Sequence, residues 1–341
     1  MRTTIYDIAK FSGVSTATVS KVLNNKGRIS PPTKERVLDA VYKLNYHPSI
    51  AASSLKKKQT YTLGLVLPDI TNPFFSEVAQ VIENESSRRG YSVLISSTNN
   101  NPEQELTQIA RMLRSELDGY IIASSIQGDS GIQSLLQQGR AVVLLDRKVP
   151  TPSQQVTWIA TDHIKGGQLA GKYLIEQGHS DFHIFIEPLH LATSTERLQG
   201  FCMALNEVGY EIGPNQIYLG GYGIDAGKIL ARQLIDRGVS LPTAVFAGSD
   251  LIAIGAIQEF HTSGIRVPDD ISIIAYDNIT FSNHIYPRLT TIAQPIQEMG
   301  KKAVELVLQR FMAPERETDE ITGHLLEPTL VVRDSVRCIH G

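Results

Sequence analysis

Ser12-Gly13-Val14-Ser15-Thr16-Ala17-Thr18-Val19-Ser20-Lys21-Val22-Leu23-Asn24 is the stretch on which the fold of this chain turns. Just upstream, Ile5, Ile8 and Ala9 recur at helical spacing, and Ser12-Gly13-Val14 breaks the pattern. Ser15 then offers a side-chain cap to a second helix whose apolar residues are Val19, Val22 and Leu23. Two short helices therefore meet at a tight turn, with Val14 packed between them. Thr16, Ala17, Thr18, Ser20, Lys21 and Asn24 lie off the apolar stripe. That face suits base edges in a major groove: hydroxyls and a methyl allow close approach, and Lys21 reaches a guanine or a phosphate. A capped surface helix of no special purpose would carry the same pattern.

A third helix follows. Ser30 is its cap, Pro31 sits in its first turn, and Val37, Leu38, Val41 and Leu44 fall at core spacing. Three small helices make a compact head over residues 1–48. Pro48 stops the third helix, and residues 49–60 form a hinge whose small residues are marginal as a helix on their own. A segment that orders only on DNA can insert Leu55 as an apolar wedge into a minor-groove step while Lys56 and its neighbours meet phosphates. A flexible basic linker is the other reading.

Charge separates the two ends of the chain. Residues 1–60 hold 11 Lys and Arg against 3 Asp and Glu, whereas the rest hold 21 against 32, so a head of +8 rides on a body of −11. This is the electrostatic footprint of a nucleic-acid-binding segment attached to something that avoids nucleic acid. A length of 341 residues with 42% apolar and 20% charged residues predicts two or three folded domains. No apolar run reaches the ~18 residues of a membrane span, and the first residues lack the apolar core of a signal peptide, so a cytoplasmic location is expected. Cys202 and Cys338 stand far apart without clustered histidines, which predicts reduced thiols, no metal and no cofactor.

From Tyr61 onward, apolar runs alternate with amphipathic stretches: Leu63 to Leu67, then Phe74 to Ile82; Ser92 to Ile95, then Leu106 to Leu113; Tyr120 to Ala123; Ala141 to Leu145. A second series runs from the Gly166 region through Phe182 to Ile186 and Ala244 to Ala247 to Ile271 to Ala275. The pattern predicts an α/β body, 61–341, of two parallel-sheet lobes: the first about 61–161 and 293–323, the second about 162–292 and 324–341.

Ligands of open parallel sheets bind beyond the carboxyl ends of the strands. There the chain places Asn72, Phe74 and Phe75, then Asp146 and Arg147, Arg197, Tyr222, Ser249, Asp277 and Gln294. Aromatic faces cover the C–H faces of a sugar, and carboxylates, amides and guanidinium groups take its hydroxyls. Asp and Asn after a strand also cap the next helix, and Phe74-Phe75 also fits a core.

The Thr4-Ile5-Tyr6-Asp7-Ile8-Ala9 segment, the Gly13-to-Asn24 segment and the Pro48-to-Leu55 hinge together resemble the lactose-repressor (LacI/GalR) family. The body resembles the periplasmic ribose-binding-protein class over nearly its whole length. The resemblance implies a helix-turn-helix head that reads a pseudo-palindromic double-stranded operator as a homodimer, with Thr16, Ala17 and Lys21 at base-reading positions and Leu55 as the intercalating leucine. The expected DNA-facing set is Thr4, Tyr6, Ser15, Thr16, Ala17, Thr18, Ser20, Lys21, Asn24, Leu55 and Lys56. Ser53 departs from the pattern, where an arginine is common. In the body Tyr222 stands where phenylalanine is usual and Ser249 where asparagine is usual, which points to a changed hydroxyl partner. His163 stands where asparagine is usual and is read as structural.

The implied function is repression of a carbohydrate-utilisation operon, controlled by a small sugar or sugar derivative between the lobes. The Asp146-Arg147 pair favours a free pentose or hexose over a purine; a non-sugar effector such as a nucleoside stays open, as does a sugar-binding protein without a DNA role. No Gly-x-Ser-x-Gly, phosphate-loop or His-Glu-x-x-His motif points to an enzyme. The C-terminal residues carry no leucine heptad, so a dimer is expected rather than a coiled-coil tetramer.

Overall fold

The computed structural model describes residues 3–24, 26–46, 59–123, 130–146, 156–238, 240–313 and 323–339. The chain divides into two units, Met1–Thr60 and Tyr61–Gly341.

In the first unit, helices α1 (Ile5–Ser12), α2 (Thr16–Leu23) and α3 (Pro31–Lys43) follow the local signals closely. Thr4 opens α1 by donating its backbone N–H and its hydroxyl to Asp7 Oδ2, at 2.8 and 2.7 Å, and Gly13 closes it at a φ of 67° that disfavours any side chain. Ser15 Oγ accepts the Thr18 N–H at 3.2 Å and starts α2. The core is Ile8, Ala9, Val19, Val22, Val37 and Ala40, with Val14, Leu23, Val41 and Leu44 half-buried against it. Leu38, expected inside, is 46% exposed. A turn of about 100° per residue groups 37, 40, 41 and 44 on one stripe and leaves 38 off it, so Ala40 fills that place.

The second unit contains two six-stranded sheets. Strands β1 (Thr62–Leu67), β2 (Ser92–Ser97), β3 (Gly119–Ile122), β4 (Val142–Leu145), β5 (Thr157–Thr161) and β11 (Gly323–Leu326) form the first, in the order β11-β5-β4-β3-β1-β2, all parallel. Helices α4 (Pro73–Arg88), α5 (Pro102–Arg114) and α6 (Ser130–Gln137) connect its strands. The second sheet joins β6 (Phe182–Ile186), β7 (Ile217–Leu219), β8 (Ala244–Ala247), β9 (Ser272–Asp277), β10 (Thr290–Ala293) and β12 (Thr329–Val331), in the order β12-β10-β9-β8-β6-β7. Helices α7 (His163–Glu176), α8 (Ala192–Asn206), α9 (Gly223–Asp236) and α10 (Asp250–Thr262) belong to this lobe. Strands β3, β4, β8 and β9 are buried along their whole length, which is why they read as unbroken apolar runs.

The chain passes between lobes at Asp162, at Gln294-Pro295 and at Glu327-Pro328. After β10, helix α11 (Ile296–Met312) returns to the first lobe, where Met299, Ala303, Val304 and Val307 join the core around Leu63, Leu65 and Ile82. Gly323–Leu326 pairs with β5, so the last passage falls after 326 rather than after 323. β12 runs antiparallel to β10, the exception in a sheet otherwise parallel. Among the described residues no helix is long and apolar enough to cross a membrane, and no cluster of His, Cys, Asp and Glu is placed to hold a metal ion.

Candidate functional site

The strands of both sheets end at a cleft between the lobes, where a cavity of about 780 Å³ is lined from one side by Asp69, Asn72, Phe74, Phe75 and Asp146 and from the other by Glu187, Ser194, Arg197, Tyr222, Ser249 and Asp277. This volume is of the order that holds a small molecule. Asn72 caps α4, its Oδ1 accepting the Phe74 N–H at 3.0 Å, so its side-chain oxygen is already engaged. Phe74 is buried and meets half-buried Phe75 edge to face, at 5.1 Å between centroids. Phe74 and Phe75 thus pack into the core and line the cavity at once.

Asp146 leaves β4 at a φ of 54°, and Asp277 and Asn278 leave β9 at 117° and 57°. Backbone held in this region costs of order 1–3 kcal/mol and gathers at binding sites. Around these turns a buried polar chain links the lobes. Arg197 Nε donates to His163 Nδ1 at 3.4 Å. A guanidinium has no lone pair to give, so Nδ1 accepts, the proton resides on Nε2, and Nε2–H donates to Asp146 Oδ1 at 3.0 Å. The Tyr276 hydroxyl lies 3.1 Å from the same Nδ1. Burial, with the Arg197 charge nearby, lowers the His163 pKa against the pull of Asp146 and keeps this neutral tautomer.

Arg197 has further partners. Nη1 donates to the Gly248 carbonyl at 2.7 Å, Nη2 lies 3.4 Å from Asp277 Oδ1, and its guanidinium carbon sits 4.0 Å from the Tyr276 ring centroid. Gln294 is not a wall of the cavity. It bridges, accepting from Thr161 Oγ1 at 2.7 Å and donating from Nε2 to Asp277 Oδ1 at 2.8 Å. Burial raises the Asp277 carboxyl well above the usual carboxylate range, with Arg197 pulling the other way. Arg147 lies outside the described residues.

Two glycines make the arrangement possible. A Cβ on Gly167 would sit 2.2 Å from the Arg197 carbonyl oxygen, and one on Gly200 1.9 Å from that of Ile164. Helices α7 and α8 therefore approach backbone to backbone, which brings His163 and Arg197 together.

Three of these residues are not among the site candidates of the sequence. His163, structural by its sequence, is the buried hydrogen-bond partner of Asp146. Tyr276 ends in the same cluster, and Glu187 lines the cavity directly after β6. The strand-end rule that selects Asp146 and Asp277 also selects Glu187. Nothing local marks His163, whose partners Asp146, Arg197 and Tyr276 are 17, 34 and 113 residues away.

On the head, Tyr6, Ala17, Lys21 and Asn24 are exposed, and Thr16, Thr18 and Ser20 are half-buried. Thr4, Ser15, Thr18 and Asn24 serve as caps as well: Ser15 and Thr18 pair at 3.0 Å, and Asn24 Nδ2 donates to the Ser20 carbonyl at 2.7 Å. Thr16, Ala17, Ser20 and Lys21 form the surface least committed to the fold. Leu55 and Lys56 lie outside the described residues.

A helix-turn-helix unit on a chain whose body is a two-lobed ligand-binding cleft defines a ligand-responsive transcription regulator. Residues 4–49 match the bacterial regulatory proteins of the lacI family, and residues 172–336 match the periplasmic binding protein-like domain. The HTH-type transcriptional repressor PurR of Pasteurella multocida is 37% identical over 341 residues, covering 98% of each chain. A crystal structure of the lac repressor dimer bound to operator and the anti-inducer ONPF superposes with a TM-score of 0.87 at 27% identity, covering 99% of this chain and 100% of that one. A LacI family regulator from Enterococcus faecium with bound ribose is 32% identical, with a TM-score of 0.72 over 82% of this chain and 99% of its own. The chain belongs to the lacI family of bacterial regulatory proteins: a DNA-binding transcriptional repressor with a ligand-binding domain.

Proposed function

We propose that the chain is a homodimeric repressor of a carbohydrate-utilisation operon, released from a pseudo-palindromic operator by a small sugar bound between its lobes. One observation carries the reading: Asp146, His163, Arg197, Asp277 and Gln294 form a chain of hydrogen bonds and one ion pair running from the cavity wall to the segments where the backbone passes between lobes. A ligand that engages Asp146 and Asp277 therefore acts directly on the segments where the chain crosses between lobes. Aromatic Phe75 and Tyr222 suit sugar C–H faces, and the bound ribose of the Enterococcus relative supports the same chemistry.

Sugar must then bind one lobe arrangement more tightly and operator the other, with a coupling of about 1–3 kcal/mol that is reciprocal by linkage. The test is direct. Duplexes recovered by selection from a random library are followed by fluorescence anisotropy while free sugars, nucleosides and purine bases are added. A pentose or hexose is expected to lower operator affinity about 5- to 150-fold; release by a nucleoside or purine alone would overturn the sugar reading and leave the repressor intact.

In the head, Thr16, Ala17 and Lys21 are proposed to read bases, with Leu55 as wedge and Lys56 on a phosphate. Lys21→Ala is expected to cost about 1–3 kcal/mol on the selected duplex and little on a scrambled one. An equal loss on both, with a shallower salt dependence, would make Lys21 a phosphate contact.

A further inference from the structure

Glu187 follows β6 directly and lines the cleft. Its residue is only 8% exposed, and it makes no hydrogen bond or ion pair among the described residues; Oε2 is shut off from solvent, so Oε1 is the oxygen left to face the cleft. A buried carboxylate without a partner costs several kcal/mol and persists where something else supplies the donor. The obvious cation supplies only its field: Glu187 helps to raise the Arg197 pKa, but the guanidinium donors go to Asp277, the Gly248 carbonyl and His163, and its face lies on the Tyr276 ring. Around Glu187 the described cavity wall carries four more carboxylates, Asp69, Asp146, Asp225 and Asp277, against that single committed guanidinium.

We propose that Glu187 is a specificity-determining residue that demands a hydroxyl donor from the ligand and excludes the phosphorylated form of the same compound. This rests on the ligand occupying the cleft as proposed above. The chemistry of the wall selects between the two forms. The first turns of α8 and α9 line the cavity at Ala192, Thr193 and Gly223, and the N–H groups of a first turn have no acceptor within their own helix. Glu187 presents only acceptors. A hydroxyl donates and accepts, and so answers both. Where the hydroxyl that meets Glu187 is esterified, the phosphate group brings nearly two negative charges at neutral pH and acceptors alone, leaving Glu187 unpaired and facing a like charge. Phosphate therefore loses at this wall even though helix N-termini by themselves favour anions. Tyr222, half-exposed beside Glu187, is held protonated by burial and by that carboxylate, so its hydroxyl keeps its donor for a ligand oxygen.

Calorimetry on the full-length chain with matched pairs tests this: ribose and its terminal phosphate ester, glucose and its terminal phosphate ester, adenosine and adenosine monophosphate. In whichever pair binds, the neutral member is expected to bind about a hundredfold more tightly or better, and Glu187→Gln to shrink that ratio by about tenfold. A phosphorylated member that binds as well as its neutral partner overturns the proposal. Preference for adenosine overturns the sugar reading and leaves the role of Glu187 standing. A ligand-free measurement decides independently: Glu187→Met keeps the length of the side chain without its unpaired charge, and is expected to melt at a higher temperature than the native protein with no ligand present. An unchanged or lower melting temperature would show Glu187 to be a satisfied structural group and sink the proposal.

Discussion

Arg197→Ala is expected to abolish the response to effector while leaving a protein that still binds operator. The side chain is buried, and its guanidinium serves Asp277, the Gly248 carbonyl, His163 and the face of Tyr276 at once. Burial works against its charge, but Asp277, Tyr276 and Glu187 outweigh burial and raise its pKa, so it is a cation throughout the working range. Truncation leaves Asp277 buried without its partner, and removing one member of such a pair costs about 2–5 kcal/mol. Effector affinity is therefore expected to fall at least about a hundredfold. His163 Nδ1 then keeps only the Tyr276 hydroxyl, so its hold on Asp146 in the opposite lobe is expected to weaken, and the signal to the lobe crossovers with it.

The checks are calorimetry with the inducing compound and anisotropy with operator, on protein shown to be folded by circular dichroism. Arg197→Lys keeps a charge but loses the planar fork, and should fall between the native protein and the alanine variant. Unchanged effector affinity in a folded Arg197→Ala protein would remove the guanidinium from the binding chain altogether.

Different parts of this molecule are legible in the sequence for different physical reasons. The head is written locally: Thr4, Gly13, Ser15 and Pro31 set helix ends within one turn of themselves, so reading along the chain recovers α1, α2 and α3. Leu38 is misread where apolar character is weighed above angle: at about 100° per residue it lies off the stripe of 37, 40, 41 and 44. In the body, the buried strands announce themselves as apolar runs. Ser130–Gln137 offers only one short apolar face, and Thr157–Thr161 mixes polar with apolar residues, so neither stands out. The reversed direction of β12 has no signal in three residues; it follows from where the last passage between lobes leaves the chain.

The site divides along the same line. Asp146, Arg197, Tyr222, Ser249 and Asp277 are found because they follow strands or open helices, and topology brings strand ends together. Gln294 is found by the same rule yet stands one layer behind the cavity, holding Asp277. Whether it lines the cavity depends on side-chain direction, which spacing does not encode. His163 is the reverse case: a first-turn residue of α7 whose role exists only once Gly167 and Gly200 let α8 come close.

Asp250 shows how a strand-end acid can serve the fold rather than the ligand, and it gives the largest stability effect expected outside the cleft. It is fully buried in the second lobe. One oxygen, Oδ2, accepts the Ile279 N–H and the Ser282 hydroxyl, and the other, Oδ1, accepts the Thr291 hydroxyl. The acid thereby ties the start of α10 to the loop after β9 and to β10. Asp250→Ala strands all three donors and is expected to destabilise the protein by about 3–5 kcal/mol. Asp250→Asn is different: its amide oxygen can keep Ile279 and Ser282, and its NH₂ can donate to Thr291, whose hydroxyl rotates to accept. The charge itself is the costly part, since burial lifts the pKa from 3.8 to about 6 against the hydrogen bonds that favour ionisation. A folded-state pKa above the unfolded one means that the native state holds its proton longer. The contribution of this group is therefore fully favourable below pH 3.8 and is lost as pH rises to about 6, a change of roughly 3 kcal/mol. Melting curves of the native protein and Asp250→Asn, taken from pH 4 to pH 7, should then diverge: the asparagine protein gains on the native one as pH rises toward 6, and the gap stays constant above it. A gap that does not change with pH would mean that Asp250 ionises in the fold as it does in water, and that its three donors, rather than its burial, set its charge.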